Sequence, residues 1–334
     1  MDNVLKFMFY NRELAKRFIS DYKLPIPLIN ETYFFYHLNL YEEDYGALTK
    51  YEALLDLIDC KYDGDFNKFL DDFYEVRENI ITTVSNSEAF KKFNTMDMNP
   101  YAIKDKPNIT SNNIYNQENV GKFFVSIDFK KANFQTLKNV DKDIVLGADT
   151  YEDFVGKFTD LAYFKESKYC REVVFGKMNP KRHITIEKYF IVQLYKRIIE
   201  EFPKLDGKCV SLANDEIIFN LEFLLYNDKL TCFAFRHDIE ELAKEFGFEV
   251  HVEFFHLRGY NLLFEESRSV RSTFYVKDYF CTDGKFKLIS APLPYHSIMY
   301  KMYKGLPLEE IDYHFNYEGM DARIFENFDL EEIF

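Results

Sequence analysis

The chain has 334 residues, of which 47% are hydrophobic and 29% are charged, and its net charge is −14. This composition predicts a globular protein and excludes a disordered one, and no apolar run reaches the roughly 20 residues that a membrane-spanning helix needs. The negative charge also disfavours nucleic-acid binding over the whole surface, because phosphate contacts need lysine and arginine.

The charge is unevenly distributed. Residues 154–197 contain ten basic and four acidic residues, a net charge of +6, so we expect one positive face. The five cysteines form no Cys-x-x-Cys pair, and the first residues lack the basic leader and apolar core of a signal peptide. We therefore expect reduced thiols and a cytoplasmic location. The 36 Phe and 25 Tyr, with many Lys, Asn and Ile, are typical of an AT-rich coding sequence such as a phage or large virus carries, and the location would then be a host bacterium.

Residues 1–107 are predicted to be a mostly helical N-terminal region. Apolar residues at helical spacing predict helices over 47–60 and 66–81, and a further helix is expected over 87–93. Gly64 separates the first two, which favours an antiparallel pair. The region is interpreted either as a helical cap or as a thumb that grips a duplex. Residues 100–119, rich in Asn, Pro, Ser and Thr, are predicted to be a linker.

The core is predicted to begin with a strand over 123–128. A capping box at Thr150 precedes a helix through 154–162, and a second helix carrying Lys168 and Arg171 is expected to end at Gly176. The strongest helical pattern covers 184–202, with Ile184, Ile191, Leu194, Ile198 and Phe202 as its predicted buried stripe.

The second half of the chain is rich in strand signals. Apolar runs at 210–213 and 217–219 flank Asn214-Asp215-Glu216, which predicts a tight hairpin. A helix over 237–246, a half-buried strand over 248–254 and a hairpin over 272–290, turned at Asp283-Gly284, follow. This order predicts an α+β fold with an antiparallel sheet and helices on one face, a core over 108–256, and an extension over 257–334 with an acidic tail.

The candidate chemistry lies at the ends of these strands. Asp128 closes the first strand, and the hairpin tip presents Asp215 and Glu216. Adjacent carboxylates are costly unless a cation lies beside them. An aspartate at a strand end together with one at a hairpin tip is typical of two-metal phosphoryl chemistry. Taken singly, each is more often an ordinary turn or cap residue, and the functional interpretation depends on their joint order.

Three segments, taken in order, resemble the family A DNA polymerases, the group of bacterial polymerase I. Residues 126–134, Ser-Ile-Asp-Phe-Lys-Lys-Ala-Asn-Phe, are similar to the first palm motif. Residues 171–176, Arg-Glu-Val-Val-Phe-Gly, are similar to the fingers-helix motif, and Asn214-Asp215-Glu216 resembles the His-Asp-Glu hairpin. The likeness covers roughly residues 108–256, with reduced fingers at about 150–183.

This resemblance implies a palm-type nucleotidyltransferase that adds nucleotides from nucleoside triphosphates to the 3′ end of a primer on a template. It implies that two Mg²⁺ ions, which Mn²⁺ could replace, are held at Asp128, Asp215 and Phe129, and that Glu216 and Arg171 support catalysis. The implied substrate-binding positions are Lys168, Phe175, Asn133, Lys177 and Gln193. Among them, Lys168 would bind the phosphates together with Arg171, and Phe175 would stack near the incoming base. Nucleic acid and replication proteins are the expected partners, and no membrane is expected.

The chain departs from the family pattern at several positions. Asn214 replaces the hairpin His, Ser167 replaces an upstream Arg, and Asn133 stands where the family has its sugar-discriminating Glu. Only 40 residues separate Phe175 from Asp215, which implies shortened fingers. Two alternatives therefore stay open: an RNA-synthesising or template-independent enzyme, and an inactive palm relic that acts as a scaffold or binding subunit in viral replication.

Overall fold

The structure is a computed structural model that describes residues 11–105, 107–109, 111, 113–221, 229–280 and 285–334. Its helices are α1 (Arg12–Tyr22), α2 (Glu31–Leu40), α3 (Glu42–Tyr45), α4 (Ala47–Tyr62), α5 (Phe66–Asn86), α6 (Glu88–Thr95), α7 (Ala132–Val140), α8 (Tyr151–Gly156), α9 (Ala162–Glu166), α10 (Lys168–Gly176), α11 (Pro180–Glu201), α12 (Lys229–Glu245) and α13 (His296–Lys304). Its strands are β1 (Phe123–Phe129), β2 (Cys209–Leu212), β3 (Glu216–Asn220), β4 (Val250–Phe264), β5 (Val270–Tyr279), β6 (Phe286–Ile289), β7 (His314–Tyr317), β8 (Met320–Arg323) and β9 (Phe328–Ile333). Within these ranges, no helix combines the length and the apolar character needed to cross a bilayer.

The described residues form two compact units, each built from separate stretches of chain. The first unit takes residues up to 81, 155–174 and 291–328, and the second takes 82–154, 175–290 and 329–334. The sequence-based boundaries after residues 107 and 256 differ from these limits. The second of them falls inside β4, whose 15 residues continue without a break in the same sheet.

A seven-stranded sheet forms the centre of the second unit. Its order is β2-β3-β1-β4-β5-β6, with β9 also paired to β4, and the pairs along this path are antiparallel. β1 lies between β3 and β4, so Asp128 stands opposite Glu216 on one side and His251 on the other. The predicted α+β class with an antiparallel sheet is confirmed.

The two faces of this sheet differ because side chains alternate along each strand. Val125, Ile127 and Phe129 belong to a hydrophobic core shared with α11 and α12. On the opposite face, Phe124 belongs to a smaller apolar cluster formed with residues of β3 and β4. Ser126 and Asp128, which alternate with the core residues, lie on that second face. The sheet therefore carries polar groups on the face opposite its helical layer.

Helix α11 begins at Pro180, whose fixed φ suits the first helical position. Ile191, Leu194 and Ile198 are buried as predicted. Ile184 is wrong as a core residue, since its side chain is 44% exposed. In this first part of the helix the buried residues include Ile186 and Glu187 instead. The spacing of apolar residues in the sequence therefore did not determine which side of the first turn of α11 faces the core.

The first unit contains the predicted helices α4 and α5 and a buried polar centre. Asp21 is fully buried and accepts hydrogen bonds from Arg17 Nε at 2.7 Å, Tyr163 Oη at 2.6 Å and Ser167 Oγ at 2.9 Å. The guanidinium of Arg17 lies 3.7 Å from the centre of the Phe73 ring. Because three donors satisfy this carboxylate, the centre links the N-terminal helix to α9 and the start of α10.

Several other local predictions differ from the structure. The predicted helix over 154–162 is interrupted, because α8 ends at Gly156 and α9 starts at Ala162. The acidic tail contains a two-stranded sheet of β7 and β8 and the strand β9. The hairpin over 272–290 is present as β5 and β6, while its predicted turn at residues 283 and 284 lies outside the described residues.

Candidate active site

The hairpin tip and the end of β1 are held together by backbone hydrogen bonds. Ala213 N donates to Glu216 O at 2.9 Å, which closes a two-residue loop of Asn214 and Asp215. Phe129 N donates to Asp215 O at 3.0 Å, immediately beyond the pair formed by Asp128 and Glu216. Residues far apart in sequence therefore lie at the same end of two neighbouring strands.

The carboxylates at this end of the sheet influence one another. Burial, then the charges of Asp215 and Glu216, raises the pKa of Asp128 to about 7. Burial also raises the pKa of Asp215. Like charges in a partly desolvated site disfavour the ionised form. Glu216 is held in place by Ser126, whose hydroxyl donates to its Oε1 at 2.5 Å.

A further carboxylate that the sequence analysis did not single out belongs to this group. Glu187, on α11, is 4% exposed, and burial followed by the charge of Asp215 raises its pKa to about 7. Its Oε1 is buried and has no hydrogen-bond partner among the residues that the structure describes. The sequence placed this residue within a basic segment, although its spacing of four and seven residues from Ile191 and Leu194 puts it on the predicted buried stripe of the helix.

A second polar cluster follows along β4 and β5. Glu253 accepts from Lys277 Nζ at 3.2 Å and from Tyr279 Oη at 3.1 Å, and His251 Nε2 lies 3.2 Å from its Oε1. Burial opposes ionisation of Glu253, but the hydrogen bond from His251 and the charge of Lys277 lower its pKa to about 2. The ammonium of Lys277 also lies 4.6 Å from the centre of the Phe255 ring.

Glu253 connects this cluster to the first one, since it stands opposite Ser126 in the register of β1 and β4. The alternation of residues 248–254 could have placed His251 and Glu253 on one face of a strand. Lys277 could not be anticipated, because the pairing of β4 with β5 determines its position.

A cavity of about 310 Å³ lies beside the start of β4, next to these residues. Three of its lining residues, Lys130, Arg236 and Lys285, are basic, and the acids Glu240 and Glu253 line it together with His251. Its size falls at the lower end of the range of small-molecule sites, and its cations are suited to phosphate oxygens.

The carboxylates of this site are the possible ligands of the divalent ions that the resemblance implies. Among the described residues, no group of three or more His, Cys, Asp and Glu side chains has a geometry that could hold a metal ion. Mg²⁺ commonly takes only one or two protein carboxylates, with waters and substrate phosphates as its other ligands. Asp128 and Asp215, both oxygen donors in a site with excess negative charge, fit this type of binding.

Two implied phosphate-binding residues lie in the other unit from the carboxylates. Lys168, which is exposed, and Arg171, which is half-buried, fall in the stretch 155–174 of the first unit, whereas Asp128 and Asp215 belong to the second. Both basic residues lie on α10, as predicted, and this helix ends at Gly176.

The implied base-stacking role of Phe175 is not supported by its position. Its side chain is 1% exposed and packs within an aromatic group, with ring centres 6.2 Å from Tyr151 and 6.3 Å from Phe154. His183 contacts the same ring. A ring enclosed in this way is a core residue in this structure and is not accessible to a nucleotide base.

The remaining implied positions all belong to the second unit. Asn133 lies in the first turn of α7 and Gln193 in α11, both half-buried, and Lys177 is exposed between α10 and α11. The ring of Phe129 is 2% exposed and stacks on Phe248 with ring centres 4.1 Å apart. Because the ring is occupied in the core, only the backbone of Phe129 could contact a metal.

Comparisons with protein-family models, with curated proteins and with solved structures find no match to this chain. The function of the protein is therefore inferred from the arrangement of the side chains at this site.

Proposed function

We propose that the protein is a nucleotidyltransferase that extends a nucleic-acid 3′ end from nucleoside triphosphates with divalent metal ions. The observation that carries this proposal is the pairing of β1 with β3, which brings Asp128 and Asp215 to one end of the sheet. Two partly buried aspartates, of which Asp215 adds to the cost of ionising Asp128, are suited to a divalent cation, which would remove that cost. The central sheet would then act as a palm.

In this proposal the chain's own residues have distinct roles. Asp128 and Asp215 hold the metal, and Ser126 keeps Glu216 directed along the same face. When bound, Mg²⁺ would supply Lewis-acid activation of the attacking hydroxyl and neutralise charge on the leaving pyrophosphate. Lys130 and Arg236, in the adjacent cavity, are placed to bind phosphate oxygens.

Primer extension tests the proposal. Purified protein is incubated with a labelled primer and template, Mg²⁺ and deoxynucleotides, and the products are separated by length. We expect Asp128→Asn and Asp215→Asn each to reduce incorporation by more than about a hundredfold, because each removes one metal-binding carboxylate. Asp143→Asn, which changes an exposed aspartate of the same unit, is the matched control and should retain full activity. Retention of activity by both site variants would refute the assignment.

The same assay separates the alternatives. Asn133 in place of the family's sugar-discriminating Glu favours testing ribonucleotides beside deoxynucleotides, each with and without template. Extension with ribonucleotides, or without template, would favour an RNA-synthesising or template-independent enzyme. The net charge of −14 favours the scaffold alternative, because it opposes tight binding of nucleic acid. Absence of incorporation under all these conditions, with Mn²⁺ included, would support that scaffold.

A further inference from the structure

Glu187 is a buried carboxylate that the proposed chemistry does not yet use. It is 4% exposed, and none of the described residues donates a hydrogen bond to its Oε1. Burying a charged or polar group without a partner is costly, and native structures rarely retain such an atom without a reason. A hydrogen-bond donor that arrives with a ligand would remove the cost of burying this carboxylate.

The geometry of α11 and β3 directs this carboxylate to the hairpin tip. Tyr195 of α11 stacks on Phe219 of β3, with ring centres 6.1 Å apart. Eight residues back along the helix, at a rise of about 1.5 Å each, Glu187 lies roughly 12 Å from Tyr195. Four residues back along the strand, at about 3.3 Å each, Asp215 lies roughly 13 Å from Phe219. These two distances are similar, so a helix and a strand that run in the same direction place Glu187 and Asp215 at the same end.

Intermediate contacts show that the helix and the strand run side by side over this distance. Phe190, three residues after Glu187, packs against Phe248 with ring centres 5.0 Å apart, and Phe248 stacks on Phe129, whose backbone N–H donates to Asp215 O. The charge of Asp215 acts on Glu187, in agreement with this placement. Glu187 therefore lies on the side of the hairpin tip that carries Asp215.

We infer that Glu187 is an outer-sphere residue of the divalent-ion site, accepting a hydrogen bond from a water bound to the ion at Asp215. Mg²⁺ keeps several of its waters when it binds to protein, and those waters are strong donors. This role agrees with the finding that no three acidic or imidazole side chains of the described residues could hold an ion directly. Glu187 is thus a positioning residue, and the inference rests on the divalent-ion site of the proposed function.

Direct metal binding tests this inference without any measurement of catalysis. Mn²⁺ is titrated into the full-length protein and the free ion is followed by electron paramagnetic resonance. Outer-sphere partners commonly change metal affinity by about ten- to a hundredfold, so Glu187→Gln should weaken Mn²⁺ binding by that factor. Glu200→Gln, an exposed glutamate on the same helix, is the matched control and should bind as the wild type does.

The metal-free variants are compared by circular dichroism and thermal unfolding. Since glutamine fills the same volume without a buried charge, we expect metal-free Glu187→Gln to fold and to be at least as stable as the wild type. A variant that fails to fold would assign Glu187 a structural role and overturn the inference. Unchanged Mn²⁺ affinity in a folded Glu187→Gln protein would also overturn it.

Asp215→Asn separates this inference from the proposal on which it rests. If Asp215→Asn abolishes Mn²⁺ binding while Glu187→Gln leaves it unchanged, the ion site is correct and the role of Glu187 is wrong. If neither change affects Mn²⁺ binding, the ion site itself is wrong.

Discussion

The ion pair between Lys277 and Glu253 gives the sharpest test of how this sheet face is held together. Lys277 is 5% exposed, and its Nζ lies 3.2 Å from Glu253. Lys277→Met keeps the aliphatic stem on Phe255 and removes only the charge and its hydrogen bonds. The loss in the free energy of unfolding should therefore come from the carboxylate of Glu253, which stays buried without its cation.

The magnitude follows from what remains around that carboxylate. Removing one partner of a buried pair commonly costs about 3–5 kcal/mol, because an uncompensated charge stays buried. Glu253 would still accept from Tyr279 at 3.1 Å and contact His251 at 3.2 Å. With two partners retained, we expect the lower end of this range, about 3 kcal/mol, in the free energy of unfolding.

Urea unfolding followed by circular dichroism measures this free energy for the wild type, Lys277→Met, Glu253→Gln and the double variant. The double variant should lose less than the sum of the two single changes, because no charge is then left unpaired. Lys244→Met, which breaks the exposed pair with Glu241, is the control and should have an effect within the error of the measurement. Equal losses for Lys277→Met and Lys244→Met would refute the reasoning.

Two further predictions concern pH and packing. The pKa of Asp128 is raised to about 7, so between roughly pH 4 and 7 the folded state holds a proton that the unfolded state has released. The free energy of unfolding of the metal-free protein should thus fall as the pH rises through this window. Asp128→Asn should reduce that slope in urea titrations at several pH values, and an unchanged slope would contradict the shift. For packing, a Cβ added at Gly259 would lie 2.6 Å from Cγ2 of Val120, so Gly259→Ala should cost about 1–3 kcal/mol in urea unfolding. Gly176→Ala, which meets no heavy atom within 4 Å, should be neutral, and equal losses at both glycines would show that the close approach is unimportant.

Local signals in the sequence located most elements of the fold. One of the two hydrogen bonds of the predicted capping box at Thr150 is present, from Asp153 N to Thr150 Oγ1 at 3.0 Å, and the helix that follows starts at Tyr151. The strand that ends near Asp128 and the hairpin around Asp215 were also predicted within one or two residues. These signals depend on neighbouring residues only, so a single sequence contains them.

Burial at the site could not be predicted in the same way. Phe175 belongs to a motif that suggests base stacking, yet Tyr151 and Phe154 enclose its ring. Glu187 is an acid in a basic segment, a type of residue that is usually solvated, yet its side chain is 4% exposed. Whether a side chain meets water or protein depends on which elements pack against it, and residues distant in sequence supply those elements.

The sequence by itself determined the α+β class, the strand that ends at Asp128 and the two-residue hairpin tip at Asp215, because backbone preference and hydrophobic alternation act over short distances. Only the tertiary structure decided that these two aspartates lie at the same end of neighbouring strands, that the side chain of Glu187 is buried and that Lys277 neutralises Glu253. Each of these outcomes depends on strand register and on the packing of a helix against a strand, which are fixed only when distant segments come together.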